Sequence, residues 1–157
     1  MRPSPAIAVA VLLALPAPAL AARTGDTRSW DRVDRALAMR VLRPAPQSGV
    51  RLVGKVHYES SRRHCGLRRR GEWYGATLRL RRTDVVLVAG RPRICGGFAG
   101  ARLLGHVGVR GQRAEVWSFG GGSRVLVWRE ARGRYTLQGV RVAVPALVEF
   151  ARTLAVA

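Results

Sequence analysis

From Val50 onward the chain is written largely in a period of two. Val50, Leu52, Val56 and Tyr58 fall on one face of an extended segment, with Arg51, Lys55, His57 and Glu59 on the other, as expected of a half-buried strand. The alternation resumes from Trp73 to Leu80, where Tyr74, Ala76, Leu78 and Leu80 oppose Thr77, Arg79 and Arg81. Val85 to Ala89 is a more continuous apolar strand, and strand character returns over Leu103 to Val109. Arg110-Gly111, Gly120 to Ser123 and Ala131-Arg132-Gly133 carry turn chemistry, and they separate the strands Ala114–Phe119, Arg124–Glu130 and Arg134–Val142. The pattern predicts an antiparallel meander.

Two segments change the period. Ser29 stands at an N-cap position before Trp30, Val33, Leu37 and Val41 at helical spacing, which predicts a short N-terminal helix ended by Pro44 and Pro46. Pro145 suits a first helical turn, and Leu147, Phe150, Ala151 and Leu154 follow as an apolar stripe, predicting a C-terminal helix on one face of the sheet. Strands and helices do not alternate, so the expected class is α+β with a mostly antiparallel sheet and a helix at each end. Residues 22–28 read as a flexible leader, Ser60 to Gly71 as a basic loop and Gly90 to Gly100 as irregular.

The first 21 residues stand apart. Arg2, an apolar run from Ala6 to Leu15, the Pro16/Pro18 break and Ala19-Leu20-Ala21 form the pattern of a cleavable secretory signal. The run is about half of what a bilayer core requires, and no later stretch is long enough and free enough of arginine to span one. The expected organisation is a signal peptide over 1–21, a leader over 22–28 and a single α+β domain over 29–157, secreted or held in the periplasm or cell envelope. In an oxidising compartment Cys65 and Cys95 are expected to pair. Such a bridge closes about 30 residues and adds about 3–4 kcal/mol on the chain-entropy model.

Charge adds a second theme. Lys and Arg total 28 against 9 acidic residues, a formal net charge of +19, and Lys55 is the only lysine. This excess favours anionic polymers or membrane surfaces. GC-rich coding also enriches arginine at the expense of lysine, so composition alone leaves both origins open. Arg62, Arg63, Arg68, Arg69 and Arg70 cluster beside Trp73 and Tyr74, and this group is the candidate anion site, with guanidinium groups on phosphates and rings stacking.

Val127-Trp128-Arg129-Glu130, a glycine turn, Tyr135-Thr136-Leu137-Gln138-Gly139 and the helix through Ala151-Arg152-Thr153-Leu154 resemble the closing hairpin and helix of a bacterial envelope domain of unknown function. More distantly, residues 124–155 are similar to the last segment of lipoprotein-carrier-like folds and periplasmic anti-sigma-factor regulators. Met39 to Pro44 resembles the proline-ended apolar segment that opens the same unknown-function domain. The resemblance implies an envelope protein or lipid partner rather than chemistry.

Catalytic patterns are sparse. His57, His64 and His106 have no zinc-ligand spacing. His64 next to Cys65 lacks a third orienting group, and Glu59, Glu72, Asp84 and Glu115 read as ion-pair partners among so many arginines. No nucleophile elbow, phosphate loop or dinucleotide fingerprint occurs, so no catalytic residue, metal site or cofactor is assigned. The first expectation is therefore a non-catalytic binding module of the envelope. An electrostatic binder of nucleic acid or cell-wall polyanion, acting through the arginine loop, is the alternative, and an unrecognised hydrolase is third.

Overall fold

The computed structural model describes residues 23–95 and 98–157. The apolar run and the Ala19–Ala21 cleavage motif lie outside the described residues. Along the chain run β1 (Arg23–Thr27), α1 (Trp30–Ala36), β2 (Leu42–Pro44), β3 (Val50–Ser61), β4 (Gly71–Leu80), β5 (Thr83–Arg91) and β6 (Arg102–Val109). After these come β7 (Gln112–Ser118), β8 (Ser123–Glu130), β9 (Gly133–Val140), α2 (Val144–Arg152) and β10 (Leu154–Val156).

Eight strands form one antiparallel sheet in the order β1-β3-β4-β5-β9-β8-β7-β6, and β10 and β2 pair separately. Two meanders, β3-β4-β5 and β6-β7-β8-β9, are thus joined by the non-local β5–β9 ladder. The class is α+β with a mostly antiparallel sheet. No helix among the described residues is long and apolar enough to cross a membrane.

Alternation decides which face is buried. Tyr58, Tyr74, Leu78, Leu87, Leu126, Trp128, Tyr135 and Leu137 all point to one side and are buried. Leu147, Phe150 and Ala151 of α2 and Val33 of α1 belong to the same core. Each buried Val, Leu or Phe side chain among them contributes roughly 1.5–3 kcal/mol through its removal from water. In β3 the register shifts between Val53, opposite Thr77, and His57, opposite Gly75. Four residues of β3 therefore span two of β4. The two extra residues leave the parity unchanged, which keeps Val56 and Tyr58 on the core side while His57 stays outside.

Two expectations need correction. The segment read as a flexible leader is the edge strand β1, paired with β3 from Arg23 opposite Ser60 to Thr27 opposite Val56. Its polar sequence has no strand period, and its place comes from the open edge of β3. Gly25 lies flat under Tyr58, whose ring leaves no room for a Cβ.

The N-terminal helix also stops at Ala36, and Leu37 is already extended. Extended backbone buries Leu37, Met39, Val41 and Leu42 together, where a helix would send some of them outward. The backbone bonds a helix would have made come instead from side chains and β10. The Glu72 carboxylate accepts from Ala38 N–H at 3.0 Å, Tyr135 donates to Arg40 carbonyl at 2.8 Å, and the Tyr74 hydroxyl accepts from Leu42 N–H at 2.8 Å.

Candidate anion-binding face

The other face of the sheet carries the polar alternation, and two loops shape it. Residues 64–67 close on themselves as a small turn, His64 and Leu67 exchanging backbone hydrogen bonds at 3.1 Å each. Cys65 sits at its tip and is bonded to Cys95, with the two Cα atoms 5.0 Å apart. The chain after β5 crosses the outer face closely enough that a Cβ on Gly90 would lie 2.7 Å from the Arg93 carbonyl. The disulfide therefore ties the basic loop to this crossing segment.

His64 is buried beneath the junction. Its Nε2 lies 2.6 Å from the Arg93 carbonyl oxygen, and its ring occupies the space a Gly71 side chain would need. The Cys95 sulfur is 3.8 and 3.7 Å from the two ring nitrogens. Near-equal distances place the sulfur against the ring rather than at the end of one N–H. His57 pairs with Asp26 on the β1 edge, and His106 Nδ1 is 3.2 Å from an Arg113 nitrogen on the opposite half of the sheet. The three histidines thus lie in three separate places.

The structure divides the arginine-aromatic cluster read from the sequence. Arg62, Arg63, Arg68 and Arg69 are exposed, and Arg70 is also exposed, 3.9 Å from the Glu72 carboxylate. Trp73 is on the outer face, where its indole N–H donates to Glu59 at 3.0 Å. Tyr74 is fully buried on the core side, so it cannot stack on anything bound outside. Burial raises its hydroxyl pKa well above the usual range, opposed by the hydrogen bond with Leu42. Adjacent strand residues face opposite ways, and sequence proximity concealed this.

A different group of cations comes together through register. Arg129 on β8 stands directly opposite Arg134 on β9. On β7, Arg113 lies two residues before Glu115, whose partner Val127 lies two before Arg129, so Arg113 flanks Arg129 on its other side. Three guanidinium-bearing residues therefore lie side by side on neighbouring strands. Beyond Arg134 the same level continues through Gly90 to Trp73.

These arginines border a cleft of about 510 Å³ with Glu115, Trp117 and Val127. Phe98 stacks on Trp117 with centroids 5.1 Å apart and planes at 7°, while the Arg134 guanidinium lies 5.2 Å above the Phe98 ring. Glu115 is the nearby carboxylate, but it accepts from the Trp117 indole at 2.9 Å and is 4.0 Å from Arg134. Like charges directly opposed on a sheet are unfavourable, so the cleft, with three guanidinium groups against one carboxylate, concentrates an excess of positive charge next to half-buried rings.

The sequence reading did not single out Arg113, Arg129 and Arg134. One signal was available, because a two-residue turn at Ala131-Arg132 places Arg129 and Arg134 opposite each other. The third member depends on the β7–β8 register. On the core side the same hairpin carries Glu130, bound by Arg110 at 2.9 Å and Arg40 at 3.2 Å. The Arg110 hydrogen bond holds the Glu130 carboxyl below its ordinary range against the opposing effect of burial.

Compared with known proteins, the chain matches no family model, no curated protein and no solved structure.

Proposed function

We propose that this protein is an exported, non-catalytic binding module of the cell envelope that engages an anionic partner with the outer face of its sheet. The observation that carries this reading is the alignment of Arg113, Arg129 and Arg134 on three adjacent strands beside Trp117. Among the described residues lining their cleft Glu115 is the one carboxylate, 4.0 Å from Arg134, so three guanidinium groups share a single counter-charge and a polyanion supplies the rest. The secretory pattern at the N-terminus and the disulfide support an extracytoplasmic setting. The resemblance to envelope domains supports a partner protein or lipid as the bearer of the negative charge.

The test is titration of the oxidised mature protein with a short fluorescent polyphosphate at several salt concentrations. Counterion release makes the slope of log affinity against log salt report the number of engaged anionic groups. Replacing Arg113 and Arg129 together with Gln should lower the slope by about 2, whereas replacing Arg62 and Arg63 in the basic loop should change it by less. Equal effects from both pairs would assign the binding to overall charge and end the proposal of a located face.

A further inference from the structure

The outer face holds a second concavity, reached from the arginine row but lined differently. It has a volume of about 310 Å³ and lies between the sheet and the side chains of Ile94 and Phe98. Val88 and Val125 form its floor, Ile94 and Phe98 stand over it, and Phe119 closes one side. This is the composition of a small-molecule site, an apolar body with a few polar groups at its margin.

The polar margin is specific. Thr136 lines the cleft, but its hydroxyl already donates to the Val88 carbonyl at 3.2 Å. The Gln138 amide nitrogen donates to Ser123 at 3.1 Å, and among the described residues its carbonyl oxygen has no hydrogen-bond donor. Arg134 is the cation at the rim, its side chain only 26% exposed. Among the described residues its guanidinium makes no hydrogen bond, with Phe98 below it and the Glu115 carboxylate no nearer than 4.0 Å. A guanidinium has five N–H donors, and those of Arg134 remain open to solvent or to a ligand at the rim.

An open apolar cleft beside a partly buried cation with open donors is complementary to a molecule with one acidic head and an apolar body. We propose that this cleft binds a free amphiphilic monoanion, a short acyl or aryl carboxylate, with the carboxylate on Arg134 and the body between Val125 and the Phe98 and Phe119 rings. The volume sets the size. At the roughly 30 Å³ that a water molecule occupies in the liquid, 310 Å³ holds about ten heavy atoms, the number in octanoate. The Cys65–Cys95 bond has a place in this arrangement, because Cys95 itself lines the cleft next to Ile94 and the bridge ties it to the basic loop.

The proposal shares with the proposed function the reading of the outer face as anion-binding, but it uses Arg134 in a cleft that neither Arg113 nor Arg129 lines. Calorimetric titration of the oxidised mature protein with octanoate, 1-octanol and acetate tests it. Octanoate should bind one to one and about tenfold or more tighter than octanol, as expected for a charge-assisted hydrogen bond. Acetate should not compete at the same concentration. Arg134→Gln should bring octanoate down to the level of octanol while leaving octanol binding unchanged.

Equal affinity for octanoate and octanol, full competition by acetate, indifference to Arg134→Gln, or no binding of octanoate would each overturn the proposal. Val125→Leu, which fills the floor without adding charge, is the control for a variant that fails to fold, and it should weaken octanoate and octanol alike. Retained binding of both in that variant would also overturn the cleft. If octanoate fails while polyphosphate still binds through Arg113 and Arg129, the cleft falls and the anion-binding face stands. Failure of polyphosphate with octanoate retained removes the polymer reading instead.

Discussion

Replacing Arg129 with Glu should make the protein more stable and a poorer polyanion binder at the same time. Arg129 faces Arg134 directly across the β8–β9 ladder, with Arg113 on its other side. An opposed like-charge pair costs, and an opposed unlike pair gains, roughly 0.2–1 kcal/mol each. Exchanging one for the other is therefore worth about 0.4–2 kcal/mol. Coulomb energy in water at about 6 Å, roughly 0.7 kcal/mol per pair, gives the same scale. Glu115 lies diagonally across from position 129 and opposes part of the gain, so about 1 kcal/mol is expected. For a domain of this size that corresponds to a rise of about 3–6 °C in Tm.

Thermal unfolding of the oxidised protein from residue 22 onward, followed by circular dichroism in low salt, reads this directly. In about 1 M salt the Debye length is only ~3 Å, and most of the gain should vanish. In the polyphosphate titration the same variant should lower the salt slope by at least 1. An unchanged or lower Tm in low salt, or a gain that survives 1 M salt, would refute the argument that the guanidinium groups share one field. A higher Tm with an unaltered slope would show the repulsion to be real and unrelated to binding.

The Ala131-Arg132 turn holds two non-glycine residues at φ 44° and 67°, so Arg132→Gly should raise the unfolding free energy measured in urea by about 1 kcal/mol, and a fall would mean the turn is not strained. Glu130 has its pKa lowered in the folded state, chiefly by Arg110, so its contribution is present above the ordinary carboxylate pKa and is lost as pH falls through the folded value. Acid unfolding of Glu130→Gln should accordingly start from lower neutral-pH stability, by about 1.5–3 kcal/mol, and depend less steeply on pH; parallel profiles would contradict this. Cys65→Ser with Cys95→Ser opens a link of 30 residues and should cost about 3–4 kcal/mol in chemical denaturation, with an unchanged midpoint as the opposing result.

Strands were legible wherever they have one wet face. Val50 to Tyr58, Trp73 to Leu80 and the hairpins after Ala114 declare themselves because a half-buried strand must alternate, and Arg110-Gly111 and Ala131-Arg132 mark where the chain reverses. The apolar stripe of α2 is legible for the same reason, since Leu147, Phe150 and Ala151 repeat with the helix and are buried. β1 was not legible: Arg23 to Thr27 has no period of its own, and only the vacant edge of β3 extends it. Nor was the end of α1, because Leu37, Met39, Val41 and Leu42 fit either a helical or an extended pattern, and distant groups on Glu72, Tyr74 and Tyr135 select the second.

The candidate site shows the same division. A basic loop beside Trp73 and Tyr74 was visible as a run of residues, yet the pleat of β4 sends Tyr74 into the core and keeps Trp73 outside. Arg113, Arg129 and Arg134 belong to three strands, and the cleft near Arg134 needs Val88 from β5, Val125 from β8 and Phe98 from the connection before β6. By itself the sequence determined the α+β class, the strand faces, the cysteine pairing and the positive charge, all of which follow from local periodicity or from composition. Only the tertiary structure decided which charges and rings became neighbours, because the β5–β9 and β7–β8 ladders bring together residues whose contact no local pattern encodes.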